Sequence, residues 1–110
     1  MGYYAVVREA GSAWYDGKGI AGQPGLNDHA AYMDALATEG FVMVAGPLAG
    51  TEAGRLRALL IVSAGSEADI HDRLGDDPWA SSGRLRTVSV EPWNVFVGAV
   101  RLLGHSTAHA

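Results

Sequence analysis

Tyr3 to Glu9 is rich in β-formers, and read at a period of two its side chains divide between two faces. The period of two predicts a first strand, with Tyr4, Val6 and Arg8 on one face and Tyr3, Ala5 and Val7 on the other. Residues 10–25 break the pattern with Gly17, Gly19, Gly22 and the closing Pro24-Gly25. They predict a long loop, and long loops in small domains often carry function. From Leu26 to Glu39 the period lengthens to that of a helix, and His29, Tyr32, Met33, Leu36 and Ala37 share one stripe. Asn27 or Asp28 is the expected N-cap and Gly40 the expected stop. Phe41 to Ala45 follows as a second strand, which Gly46-Pro47 is expected to close. Thr51 to Gly54 reads as a turn and Leu56 to Ser63 as a third strand. Its run from Ala58 to Val62 is apolar on both faces, as in a central strand covered on both sides.

Ser66-Glu67-Ala68-Asp69 has the form of a capping box with Asp in place of Glu, and it opens a second helix that Ile70 and Leu74 face inward and Gly75 ends. Asp76 to Gly83 is a turn or short helix. Leu85 to Val90 is a fourth strand, broken by Pro92-Trp93, with Asn94 to Val100 expected to continue extended. The order β-α-β-β-α-β is the split βαβ motif of ferredoxin-like α+β folds with a four-stranded antiparallel sheet. Two helices cover one face of such a sheet. The other face, apolar at the third strand, needs a cover, and a second copy of the chain is the simplest one. The domain is expected over residues 1–100, with a loose C-terminal tail over 101–110.

Composition narrows the chemistry. The chain has 110 residues, one domain's length, and 48% of them are hydrophobic, within the globular range. It has no cysteine, which excludes a disulfide framework, a thiolate metal site and a cysteine nucleophile, and fits a cytoplasmic location. The net charge is −4, and Lys18 is the sole lysine. With its cations scattered, the chain is not expected to bind nucleic acid. The start Met1-Gly2-Tyr3-Tyr4 has no basic region, so no signal peptide is expected. No apolar run reaches the roughly 20 residues that span a bilayer, so no membrane association is expected.

Several short motifs, in order, resemble one family. The stretch His29-Ala30-Ala31-Tyr32-Met33-Asp34-Ala35-Leu36-Ala37-Thr38-Glu39-Gly40, the turn Ala45-Gly46-Pro47-Leu48, the tetrapeptide Asp76-Asp77-Pro78-Trp79 and the closing Val90-Glu91-Pro92-Trp93 resemble the YCII-related domain family, from the first strand to about Val97. The resemblance implies a dimeric α/β barrel of two ferredoxin-like units, related to muconolactone isomerase-like proteins. It also implies a His–Asp pair in a cleft, carried here by His29 and Asp77. Some related proteins remove chloride from lactones or hydroquinones formed in aromatic breakdown, and the resemblance extends that expectation to small ring-derived substrates.

The residues support these roles and also plainer ones. His29 lies in the apolar stripe and points at the sheet. A neutral imidazole there suits a general base, but it equally suits a buried histidine satisfying a carbonyl. Asp77, directly before Pro78, is an ordinary N-cap position. It is also placed to orient His29, and one carboxylate has lone pairs for both tasks. Asp76 is the neighbouring alternative. Arg8 suits a substrate carboxylate or a cross-dimer ion pair. Trp14 and Trp79 are candidate walls of an aromatic-sized pocket, Trp14 and Tyr15 as a lid, and Trp93 suits core or dimer interface. His71 reads as solvated. His105 and His109 are four apart, but Gly104, Ser106 and Thr107 disfavour the helix a metal site would need. Neither a phosphate loop nor a Gly-x-Ser-x-Gly elbow is present.

No metal or cofactor is signalled. The leading expectation is a cofactor-free isomerase, lyase or dehydrochlorinase-like enzyme acting on a small acid or lactone by acid/base chemistry. The alternatives are a non-catalytic dimeric module that binds a small molecule or a protein, and a structural dimer in which His29 and Asp77 only tie elements together.

Overall fold

In the computed structural model, residues 1–102 are described. Strand β1 (Gly2–Ala10) is the axis of the sheet. It pairs antiparallel on one side with β3 (Arg57–Ala64) and on the other with β4 (Leu85–Trp93), and β2 (Val42–Pro47) adds to the free side of β3. The order β2-β3-β1-β4 is that of a ferredoxin-like sheet. Helices α1 (Leu26–Thr38), α2 (Glu67–Gly75) and the one-turn α3 (Pro78–Ser81) complete the element order. The chain therefore has the expected α+β class and a central β3.

Register fixes which side chains share a face. Antiparallel partners point the same way, so Val6, opposite Leu60 and Val90, and Arg8, opposite Ala58, lie on the helix-covered face. There Val6, Leu36, Leu60, Val62, Ile70 and Leu74 form the main core, each at most 2% exposed. Trp14, Leu56, Trp79 and Leu85 form a second buried cluster with Ala10, under the 11–25 loop. The opposite face carries Tyr3, Ala5 and Val7 across from Ser63, Ile61 and Leu59, with Val44 opposite Ile61 and Trp93 opposite Tyr3.

Several ends differ from the sequence expectation, each for a local reason. The N-cap of α1 is Gly25, not Asn27 or Asp28. It sits at φ 77 with no side-chain cap, a left-handed conformation that glycine adopts freely. Ala37, expected in the buried stripe, is exposed. Gly46 and Pro47 do not form a turn after Ala45 but are the last two residues of β2, paired with Leu59 and Ala58, since Pro is tolerated on an edge strand. Pro92 likewise pairs with Tyr4 in the other edge strand, so β4 runs unbroken to Trp93. Residues 94–98 then leave the sheet and a helical turn starts at 99, so the extended continuation to Val100 does not form. Gly40 (φ 83) ends α1 and Ser66 caps α2 through the Asp69 amide, both as expected. The expected tail from Gly104, with His105 and His109, lies outside the described residues.

Candidate active site

The site grows from two helix starts. Gly25 turns the chain into α1, and the carbonyl of Pro24 just before it accepts the indole N–H of Trp79 at 2.8 Å. This bond ties the start of α1 to α3. His29, one turn into α1, therefore lies flat against the Trp79 ring, with centroids 4.0 Å apart and planes 8° apart. At the start of α3, Asp77 is the N-cap and Pro78 follows. The Asp77 Oδ1 accepts the Trp79 amide at 2.9 Å, as the Asp-Pro pair predicts.

The same carboxylate meets His29. Nδ1 lies 2.9 Å from Oδ1 and 2.8 Å from Oδ2. From the other side Arg8, on β1, donates through NH1 to Oδ2 at 2.9 Å. Asp77 is 0% exposed and Arg8 1%. Burial pushes the Asp77 carboxyl up, but the hydrogen bonds from His29 and the Trp79 amide, with the Arg8 charge, outweigh it and hold it below the ordinary carboxylate value. Burial draws the Arg8 guanidinium below its ordinary value while Asp77 pulls it back up. It stays charged at neutral pH.

An ionised carboxylate can only accept, so Nδ1 of His29 carries the proton it shares with Asp77. Neutral His29 then presents Nε2 as an acceptor. Nε2 has no protein partner among the described residues and is not among their sealed, unpaired atoms, so solvent reaches it. The His29 side chain is 16% exposed. It lines a cavity of about 190 Å³. Met33 from α1, Ile20 from the loop, Ala58 and Leu60 from β3, Leu56 and Leu85 form apolar walls with Trp79, and Ala45, Gly46 and Pro47 form an exposed rim on β2.

His29, Asp77, Arg8 and Trp79 thus converge. Arg8, expected to clamp a substrate carboxylate, spends NH1 on Asp77 and NH2 on the Leu74 carbonyl at 3.4 Å, while its Nε is sealed without a partner. Trp14 does not reach the cavity wall. It is buried behind Trp79, edge-on at 5.7 Å, with its indole N–H on the Gly54 carbonyl. Nor do Trp14 and Tyr15 form a loose lid. Buried Gln23 clips the loop, accepting the Tyr15 amide at 2.8 Å and donating to the Tyr15 and Gly19 carbonyls. The loop reaches the cavity through Ile20 instead. Asp76 caps the end of α2, and the hydrogen bonds of His29 among the described residues go to Asp77 instead. His71 is exposed beside Glu67. Of the wall residues that sequence reasoning did not assign to a site, Met33 carried a signal, lying one turn beyond His29 on the same stripe.

The model of the YCII-related domain matches residues 8–94, a span that contains every residue of this constellation. The chain belongs to the YCII-related domain family. No curated protein sequence matches this YCII-related chain. Among solved structures, its fold is similar to that of 5-chloro-2-hydroxyhydroquinone dehydrochlorinase from Burkholderia phenoliruptrix in complex with 2,5-dihydroxybenzoquinone. The TM-score is 0.59 and the identity 23%, over 86% of this YCII-related chain and 95% of that one. Among its described residues, no helix is long and apolar enough to cross a membrane.

Proposed function

We propose that this protein is an acid/base enzyme that moves a proton on a small, ring-sized acid or lactone of the kind formed in aromatic breakdown. The observation that carries the reading is the buried Asp77 carboxylate bonded to His29 Nδ1 at 2.8 Å, with Nε2 left free beside an apolar cavity. Asp77 fixes the tautomer and balances the imidazolium when Nε2 takes a proton. Arg8 is a positioning residue: it keeps Asp77 ionised and aimed. Trp79 holds the imidazole plane by stacking and forms one wall.

In this reading Nε2 removes a proton from a carbon next to a carbonyl. The electron pair moves into the carbonyl, giving an enolate that His29 reprotonates at another position, or it expels a leaving group such as chloride on the adjacent carbon. Both routes balance without an oxidant or reductant. The dehydrochlorinase named above has the same fold and lends support to the second route. The working unit is proposed to be a homodimer, because Val44, Leu59 and Trp93 expose 59%, 38% and 45% of their surface on the sheet face opposite the helices; the cytoplasmic location proposed for it rests on the lack of cysteine.

The test is proton exchange in deuterated water, followed by NMR, over a panel of lactones and chlorinated hydroquinones, with chloride release measured alongside. Wild type should catalyse exchange on at least one member, and His29→Gln should lose about 10²–10⁴-fold. Exchange that survives His29→Gln unchanged refutes the reading. Saturable binding with no exchange identifies a binding module instead.

A further inference from the structure

A second cavity, of about 360 Å³, opens where β1 runs into the 11–25 loop, lined by Glu9, Ser12, Arg55, Arg57 and Arg86. Strand register builds it. Glu9, near the end of β1, stands directly across from Arg57 on β3 and from Arg86 on β4. Antiparallel partners point the same way, so all three side chains leave the sheet on the face opposite His29. Glu9 divides its carboxylate between them: Arg57 Nε donates to Oε2 at 3.2 Å and Arg86 NH2 to Oε1 at 3.4 Å. Two guanidinium groups thus share one carboxylate, and one positive charge is left over. The third cation, Arg55, is committed to the Asp16 carboxylate and to the carbonyls of Ala10 and Gly11 at 3.2 Å, so it fixes the loop end of the groove.

These bonds leave donors unused. Both NH groups of Arg57, and Nε with NH1 of Arg86, have no acceptor among the described residues. The two side chains are 50% and 62% exposed, so a solute reaches them. Exposed ion pairs add little to the stability of a fold. Yet three of the chain's eight Lys and Arg residues gather at this groove, in a chain of net charge −4. A guanidinium edge with two parallel N–H donors matches the paired oxygens of a carboxylate or a phosphate. The lining has no aromatic side chain that would call for a ring.

From this arrangement we infer that the groove is a second ligand site, separate from the His29 cavity, for a small oxyanion, a phosphate or a compact carboxylate, held between Arg57 and Arg86. The site stands whether or not His29 acts on a substrate. Glu9 has two effects there: it spaces the two cations, and it competes with the ligand for their donors.

Inorganic phosphate and malonate are the probes, titrated into the intact protein at neutral pH and low salt while the arginine Nε–H signals are followed by NMR. At least one probe should shift the Arg57 and Arg86 signals saturably, and chloride at equal ionic strength should not. Saturation by one probe or by both supports the site and selects its ligand. Arg86→Gln removes a charged donor and should weaken binding about tenfold. Arg73→Gln removes the same charge from a pair with Glu39 elsewhere on the surface and should leave binding unchanged. Glu9→Gln removes the competing carboxylate and should tighten binding. No saturable shift in the wild type overturns the inference, as does equal weakening by Arg73→Gln and Arg86→Gln, or a Glu9→Gln variant that binds no better than the wild type. Sedimentation velocity with and without the anion should give the same species. A dimer that splits as phosphate is added would place a partner copy's acidic side chain in the groove and overturn the inference as well.

Discussion

Replacing Asp77 by alanine tests the physics of the site most directly. The carboxylate is 0% exposed and holds three partners: the Arg8 guanidinium at 2.9 Å, the His29 imidazole at 2.8 Å and the Trp79 amide at 2.9 Å. Its loss leaves Arg8 charged, buried and facing a void. Removing one partner of a buried ion pair costs about 3–5 kcal/mol. Loss of the N-cap of α3 adds about 1 kcal/mol. A domain of this size has roughly 5–15 kcal/mol in total, so Asp77→Ala should sit near the edge of folding. The melting temperature should fall by at least about 12 °C, since each kcal/mol is worth roughly 4 °C or more. Urea unfolding at pH 7, followed by circular dichroism, measures the free energy. The decisive control is Arg8→Met with Asp77→Ala. Methionine fills much of the arginine's volume and removes the stranded charge, so the double variant should be more stable than Asp77→Ala alone. A loss below about 1 kcal/mol for Asp77→Ala, or a double variant no better than the single, would refute the claim that a buried charge pair organises this site.

Three further outcomes follow from the same contacts. The Asp77 carboxyl is held below its ordinary value in the folded state. A depressed folded value contributes stability that is complete above the unfolded value of about 3.9 and is lost as pH falls from there through the folded value; Asp77→Asn should flatten stability over that acid range, and an unchanged slope in urea titrations would argue against it. Gly25→Ala should cost about 1–2 kcal/mol because φ is 77. The added Cβ would lie 3.6 Å from Trp79 Nε1, an ordinary contact, so the cost is in the backbone and thermal melts will read it. Val44→Lys, 59% exposed on the sheet face opposite the helices, should convert the proposed homodimer to monomers in sedimentation velocity while the far-ultraviolet spectrum stays unchanged; a wild-type chain that already sediments as a monomer would remove that proposal.

Much of this molecule is written in local patterns. The period-two run at Tyr3–Glu9, the doubly apolar Ala58–Val62 and the helical stripe through Tyr32 and Leu36 specify β1, β3 and α1, because each periodicity leaves only one way to bury its apolar face. The Ser66 cap and the Asp77-Pro78 start of α3 are equally local: a side-chain oxygen two or three residues from an amide needs no distant partner. His29 and Asp77 were legible as candidates through their motifs, but their meeting was not, because 48 residues separate them in the chain. The tertiary structure decided the rest. Pairing of β1 with β3 and β4 set Arg8 on the covered face, under α2, where its donors turn to Asp77 and the Leu74 carbonyl and away from any ligand. Packing of the 11–25 loop decided that Trp14 supports Trp79 from behind and that Ile20 takes the place at the wall. A sequence specifies which residues want burial. Which of several buried neighbours a long polar side chain finds depends on the register and layering of distant elements, and only the assembled fold supplies those.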